Sequence, residues 1–433
     1  MPRITRSGRK SVKGTGASAS DLRSTDGNAH DRYRRLGDAD DASESVNRVD
    51  YSGWRNIFNP VWCYNGFVTC VVALTVFGFI MVFSSSSVSM VAAGKSPWAQ
   101  AANQTIYGIF GLIVTAVAAH IKAEWYRRAS FFLLLGAMFL QLLTLTPLGR
   151  NVNGNTGWIG IGSLTLQPAE ALKLALCIWL PLALSVAGRR AKTVGLLQAY
   201  WIPIVMFAAS VGFVLIGKDL GTAMILIIIG FVAFLVGGFS MWLLFSMSAL
   251  AAVGIVFVFV FGSTNRMNRI LAAYLPCNAE SSQGVCYQSI HSMYAMASGG
   301  LTGVGLGNSR EKWNYLPEAH NDFIFAVIGE ELGFIGTSLV VLTFIIMGWC
   351  LMRVALQSHD SFTRLVLVCI ATWIVSQGLI NICVVLGLLP VMGLPLPFVS
   401  AGGTALIMCL CASGVAMSMM KSLPEISSAQ SKP

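Results

Sequence analysis

Few residues of this 433-residue chain are suited to polar chemistry inside an apolar protein. Glu170 and Lys173 are three apart, so on a helix they share one face and can partner each other. Pro168, just before them, suits a first helical turn. The pair fits a structural ion pair in a bundle, or part of a polar cavity. Lys218 and Asp219 fall in a very short turn between apolar runs, where stabilising the turn is one role and facing a cavity another. Asp322 closes the run Pro317-Glu318-Ala319-His320-Asn321 and stands directly before apolar Phe323-Ile324-Phe325. Asn321 or Asp322 can cap a helix there, where a carboxylate favours the free amides and the helix dipole. A carboxylate at a cavity mouth can instead serve as a general base, taking a proton from an attacking hydroxyl. Glu330 and Glu331 follow at roughly 12–14 Å along the same helix, given 1.5 Å per residue. That is too far for a carboxylate dyad with Asp322 and fits bundle support or cavity lining.

The elements that position these groups follow from where charge is absent. Only 11% of residues are charged and 55% are hydrophobic, whereas soluble domains carry roughly 25% charged residues. Asp, Glu, Lys and Arg are missing from 56–94, 96–121, 129–149, 193–217, 220–265, 332–352 and 365–420. About 20 apolar residues cross a bilayer core, so the chain reads as an all-α, polytopic membrane protein. Glycine, proline and charge clusters divide these stretches into ten helices near 61–83, 99–120, 129–147, 169–187, 199–216, 219–237, 241–262, 323–352, 365–386 and 402–420, with one long loop at 263–322. Trp62, Trp98, Trp125, Trp201, Trp242 and Trp349 sit near helix ends, as an interfacial belt requires.

Residues 1–60, rich in Ser, Gly, Asp and Arg, lack the apolar content to offset ordering entropy and read as a disordered tail, either a docking segment or inert. They contain no apolar signal-peptide core. Residues 61–420 form the membrane domain and 421–433 a short C-terminal tail. The short loops on one side, 121–128, 188–198, 238–240 and 353–364, carry Lys122, Arg127, Arg128, Arg189, Arg190, Lys192, Arg353 and Arg364. Under the positive-inside rule both termini are then cytoplasmic and 263–322 is outside. The net charge of +10 reads as topology signal rather than nucleic-acid binding, since no basic domain or aromatic-interleaved patch is present.

Several chemistries find no support. Gly299-Gly300-Leu301-Thr302-Gly303-Val304-Gly305-Leu306-Gly307 lacks the Lys-Ser/Thr ending of a phosphate loop and follows no strand, so it reads as a flexible or tightly packed loop. The five histidines are scattered, and neither HExxH nor paired CxxC occurs, which argues against a dedicated metal cage. Eight of the ten cysteines lie in or beside helices. Cys277 and Cys286 are in the outer loop, and on an oxidising side they are expected to form a disulfide, stabilising by roughly 2–3 kcal/mol for so short a loop.

The run Asn308-Ser309-Arg310-Glu311-Lys312-Trp313-Asn314-Tyr315-Leu316-Pro317-Glu318-Ala319-His320-Asn321-Asp322, continuing through Phe323-Ile324-Phe325 to Gly329-Glu330-Glu331-Leu332-Gly333, closely resembles the signature of the SEDS (shape, elongation, division, sporulation) family. Three more blocks agree, in the family's order: Leu166-Gln167-Pro168-Ala169-Glu170, Lys218-Asp219-Leu220-Gly221-Thr222, and Gly393-Leu394-Pro395-Leu396-Pro397-Phe398-Val399-Ser400-Ala401-Gly402-Gly403. Together they span nearly all of 61–420. Tyr315-Leu316-Pro317-Glu318-Ala319-His320 and the long polar tail look more like the family's division branch than its elongation branch.

The resemblance implies a peptidoglycan glycosyltransferase of the bacterial plasma membrane, polymerising lipid II on the outer face during septal wall synthesis. Its partners would be lipid II and undecaprenyl-linked glycan, a class B penicillin-binding transpeptidase, other division proteins and membrane lipid, with no nucleic acid. The family's essential aspartate maps onto Asp322, as base toward the acceptor hydroxyl. Glu170 and Lys173 match polar positions of the fourth helix, and Lys218, Asp219, His320, Glu330 and Ser400 fall in family blocks around the cavity. Cations for a departing diphosphate would come from Lys173, Lys218, Arg266, Arg269, Arg310 or Lys312, or from a divalent ion such as magnesium or manganese. One block departs from the family: Asn153-Gly154-Asn155-Thr156-Gly157-Trp158 replaces a segment that commonly carries two arginines. Two other functions fit intramembrane charge or the tail: a flippase for the lipid-linked precursor, and a division scaffold. Asp322 at the rim favours the enzyme, because transporters bind at the midplane.

Overall fold

The computed structural model describes residues 53–152, 155–161, 164–255, 264–275, 284 and 286–430. The chain divides at Ile57/Phe58, and almost all of the tail lies outside the described residues. The larger unit is a helical bundle. Its helices are α1 (Pro60–Ala92), α2 (Ala99–His120), α3 (Ala123–Leu143), α4 (Pro168–Val194), α5 (Leu196–Ile216), α6 (Leu220–Val236), α7 (Met241–Ile255), α8 (Thr264–Tyr274), α9 (Tyr287–Gly299), α10 (Ile324–Gln357), α11 (Ser361–Val385), α12 (Gly403–Met420) and α13 (Pro424–Gln430). Eight of these are long and apolar enough to cross a membrane, and α6 and α7 are shorter apolar helices.

Local sequence explains the starts. Asn59 accepts a hydrogen bond from Val61 N ahead of Pro60, Pro168 opens α4, and Asp219 and Asp360 cap α6 and α11 through the amides of Thr222 and Thr363. The arrangement of the bundle follows from which faces are apolar all round. Helices α4, α11 and α12 are the most buried, with Trp373 of α11 fully enclosed. The outer helix α2 turns Ile106, Ile109, Phe110, Ile113 and Val117 outward, a helical-period stripe suited to lipid. Its other face meets α12 closely: a Cβ on Gly414 would come within 2.5 Å of Thr115 O. Thr115 Oγ1 donates across the interface to Leu410 O.

Two features depart from the helical pattern. Between α3 and α4 the chain forms a three-stranded antiparallel sheet of β1 (Gly149–Val152), β2 (Asn155–Ile161) and β3 (Leu164–Leu166). It docks on the bundle through Thr156, whose N and Oγ1 both donate to Gly217 O at 3.1 Å. The dipeptide Asn153-Gly154, between paired Val152 and Asn155, is the sequence signal for such a hairpin. Helix α10 is broken at Gly333, with φ 63° and ψ −161°. There Val304 N and Gly305 N donate to Glu330 O and Glu331 O, while Phe334 N and Ile335 N donate to Gly300 O and Leu301 O. The glycine run after α9 is thus tightly packed. A Cβ on Gly303 would lie 2.1 Å from Glu331 O, and one on Gly299 1.9 Å from Gly329 O. Beyond α12, α13 folds back on the bundle and buries Ile426.

Candidate active site

Asp322 precedes α10 at the end of the bundle that carries the sheet, and the loop 393–403 between α11 and α12 holds its backbone. Asn381 Nδ2 donates to Asp322 O at 2.7 Å and to Leu394 O at 2.8 Å. Ser400 Oγ donates to Asn321 O at 2.7 Å while accepting from Leu396 N. Ala401 N donates to His320 O. Three consecutive carbonyls are therefore fixed, those of His320 and Asn321 by the loop and that of Asp322 by Asn381 of α11. The carboxyl lies near Gly393, where an added Cβ would sit 3.7 Å from Asp322 Oδ2. Gly393 has φ +71°, a conformation that side chains rarely adopt.

The Asp322 carboxyl is partly buried and, among the described residues, accepts none of the hydrogen bonds that stabilise a buried anion. Desolvation, then the negative charges of Glu318 and Asp219, push its pKa up to about 7, against an opposing pull from Arg269 on α8. A carboxylate so poised is half ionised near neutrality and can accept a proton with useful driving force. His320 is moved the other way, since burial lowers its pKa, opposed by Glu318.

The loop that clamps Asp322 is braced from inside. Gln377 Nε2 donates to Pro395 O at 2.9 Å, and Gln377 Oε1 accepts from Lys173 Nζ and Trp373 Nε1. Lys173 is wholly buried, 2.8 Å from Glu170 and 4.9 Å from the centre of the Trp373 ring. Lys173 and Glu170 thus adjoin the 393–403 loop through Gln377, where the sequence left a choice between an ion pair and a cavity lining. The ammonium has no path to solvent. Asp219 caps α6 and also accepts from Thr222 Oγ1 and Gln167 Nε2. Lys218 is exposed, with φ +64°.

Glu330, Glu331 and Lys312 sit in a different cluster. Glu331 is fully buried, accepts from Ser84 Oγ and lies 2.9 Å from Lys312 Nζ. Lys312 Nζ also donates to Gly307 O. Glu330 accepts from Ser309 Oγ and from the amides of Arg310 and Glu311. The family resemblance had offered Lys312 as a cation for a departing diphosphate, and spacing had left Glu330 between bundle support and cavity lining. The structure encloses both, because two carboxylates buried in an apolar helix demand local donors. Arg310 keeps an exposed side chain. The Arg266 side chain and Cys277 lie outside the described residues; Cys286 is disulfide-bonded.

Asn381, Gln377 and Gly393 were not singled out by sequence reasoning. Gln377 and Asn381 are amides four apart in an apolar helix, hence on one face, and that was the available signal.

The profile of the cell cycle protein family of FtsW, RodA and SpoVE matches residues 65–424. A probable peptidoglycan glycosyltransferase FtsW of Geobacter sp. strain M18 is 34% identical over 349 residues, covering 80% of this chain and 94% of that protein. Among solved structures, a chain from a peptidoglycan synthase complex that coordinates polymerization and crosslinking superposes with TM-score 0.66 at 26% identity, covering 82% and 97%. The fold is also that of rod shape determining protein RodA of Thermus thermophilus, with TM-score 0.61 at 24% identity over 82% and 96% of the two chains. On the extent of these matches, the chain belongs to the SEDS family of polytopic cell cycle proteins, alongside FtsW, RodA and SpoVE.

Proposed function

We propose that the chain is a peptidoglycan glycosyltransferase of the division type, polymerising lipid II on the outer face of the bacterial plasma membrane. The observation that carries this reading is Asp322: the carbonyls of residues 320–322 are each held by a hydrogen bond, while its carboxyl accepts none from the described residues and its pKa is pushed up to about 7. The carboxylate removes the proton from the 4-hydroxyl of the acceptor N-acetylglucosamine as that oxygen bonds to the donor's anomeric carbon. The anomeric carbon–oxygen bond breaks and undecaprenyl diphosphate departs with the electron pair. Positioned base catalysis contributes typically 10²–10⁴-fold. Arg269, already felt electrostatically by Asp322, and the exposed Lys218 are the cations best situated to stabilise charge on the leaving diphosphate.

Among the described residues no three His, Cys, Asp or Glu side chains converge. Magnesium or manganese bound through one or two carboxylates and substrate phosphates needs no such cage. Asp322, with Glu318 and Asp219 adding negative charge nearby, fits that mode of binding. Such an ion would neutralise charge on the diphosphate.

Both termini are cytoplasmic in this reading, the partner is a class B penicillin-binding transpeptidase, and the site of action is the septum. The names of relatives support it, as does the excess of Lys and Arg in 121–128, 188–198 and 353–364. Cys286 pairs with Cys277. The test gives purified protein, alone and with its transpeptidase, lipid II and scores glycan strands. Strands are expected, and Asp322→Asn abolishes them in a folded protein. Normal synthesis by that variant removes Asp322 as the base, and transbilayer movement of lipid II without polymer replaces the polymerase with a flippase.

A further inference from the structure

Between Asn321 and the end of the loop that clamps it, at Ala401 and Gly402, lies a cavity of about 260 Å³ that the mechanism above does not use. Its wall is a polar stripe on α2: Gln100, Asn103, Gln104 and Tyr107, spaced i, i+3, i+4 and i+7. Trp158 from β2 and Asn321, next to Asp322, complete it. Among the described residues lining it, none is charged.

The stripe is only partly explained by packing. Gln104 is buried and bridges to the start of α12, donating to Ser400 O and accepting from Gly402 N. The Tyr107 ring lies against Gly403, where a Cβ would come within 2.7 Å, so the ring is fixed on bare backbone. The amides of Gln100 and Asn103, by contrast, make no hydrogen bond to the described residues and border the cavity. Carboxamides donate and accept at once, as sugar hydroxyls and acetamido groups do. Aromatic rings supply the apolar surface that pyranose C–H faces cover. The absence of cations disfavours a phosphate here. The volume, below the roughly 300–1,000 Å³ of drug-sized sites, suits a ring or two.

We infer that this cavity is a carbohydrate subsite for the neutral N-acetylglucosamine units of the glycan, adjoining the base through Asn321 and excluding the diphosphate. The inference rests on the glycosyltransferase reading for its choice of sugar. The ligand chemistry is shared by the growing strand and by the head of the lipid-linked precursor. The lack of a cation assigns the cavity to sugars distant from a diphosphate, and so to the strand.

The test uses the full chain in nanodiscs carrying Asp322→Asn, so that binding is read without turnover. The probe is a lipid-free tetramer of N-acetylglucosamine, with maltotetraose and sugar-free undecaprenyl diphosphate as comparators. The tetramer is expected to bind, at least tenfold more weakly in Trp158→Ala and several-fold more weakly in Asn103→Leu, a change on a helix face that leaves the fold intact. In the active chain both variants shorten the strands without moving the pH profile set by Asp322. Equal tetramer affinity in both variants overturns the inference, as does maltotetraose binding equally well or displacement of the tetramer by undecaprenyl diphosphate. These outcomes are separate from failure of the polymerase reading, which shows as no glycan strands from the parent chain and its transpeptidase whatever the tetramer does.

Discussion

Asp322 and Glu331 are carboxylates nine residues apart in sequence, and their surroundings are opposite. Glu331 is fully buried yet saturated: Ser84, Lys312 and the Ser309 amide all face it. Asp322 is less buried yet unsatisfied, with two carboxylates among its nearest charges and its own loop bonded only to its backbone. Burial alone therefore does not mark a reactive group. What distinguishes the two is where donors go: onto the side chain in one case, onto the main chain in the other. The first arrangement ties a loop to a helix, and the second aims a carboxyl while leaving it free to exchange a proton.

The largest expected effect is on catalysis. Asp322→Asn should lower strand synthesis by about 10²–10⁴-fold with thermal unfolding still cooperative, whereas Glu331→Gln should act mainly on stability. Next, Lys312→Met leaves the Glu331 anion buried without its cation. It should cost about 3–5 kcal/mol, measured by detergent-solubilised melting, and adding Glu331→Leu should recover part of the loss. If the single variant melts like the parent, the contrast fails at its structural end.

A third prediction concerns the folded carboxyl of Asp322 itself. Its pKa, about 7 in the fold against 3.8 for the model carboxyl, means that ionisation opposes folding. The stability associated with its proton is present below about pH 4 and is lost as pH rises through 7. Asp322→Asn should thus melt higher than the parent at pH 8, by about 1–2 kcal/mol after allowance for partial exposure, with the gap closing near pH 4. Smaller still, Gly393→Ala places a methyl at a left-handed position beside Asp322 Oδ2, costing roughly 1–2 kcal/mol and a few-fold in kcat/KM. Finally, activity should rise with pH through about 7. Glu318→Gln should move that limb to lower pH and Arg269→Gln to higher pH, since the first removes a like charge and the second an opposite one. Unmoved limbs would show that another group titrates.

Much of the bundle was legible because ten apolar runs are interrupted by glycine, proline and charge, and Asp322 was legible from its place at a helix start. The sheet at 149–166 was not, because its strands are short and rich in glycine and threonine, with no two-residue alternation long enough to stand out. The break at Gly333 was hidden as well, since the partners that satisfy the freed backbone are thirty residues upstream, at Gly300–Gly305. The partition of carboxylates was invisible for the same reason: Ser84 and Glu331 are 247 residues apart, and nothing in local spacing links them. Lys173 illustrates the limit from the other side. Its partner Glu170 could be read from a spacing of three, but Gln377 could not.

The broken helix carries one more consequence. α10 has 34 residues, a length of roughly 51 Å at 1.5 Å per residue, against a hydrocarbon core of about 30 Å. The 24 residues after Gly333 are enough to span that core unaided, so the nine before it are surplus in length. They act as a riser, setting Asp322 up to about 13 Å from the break. Under the proposed glycosyltransferase reading, bilayer thickness is expected to act on rate: longer acyl chains should lower strand synthesis by drawing the riser into the hydrocarbon, away from a diphosphate at the surface.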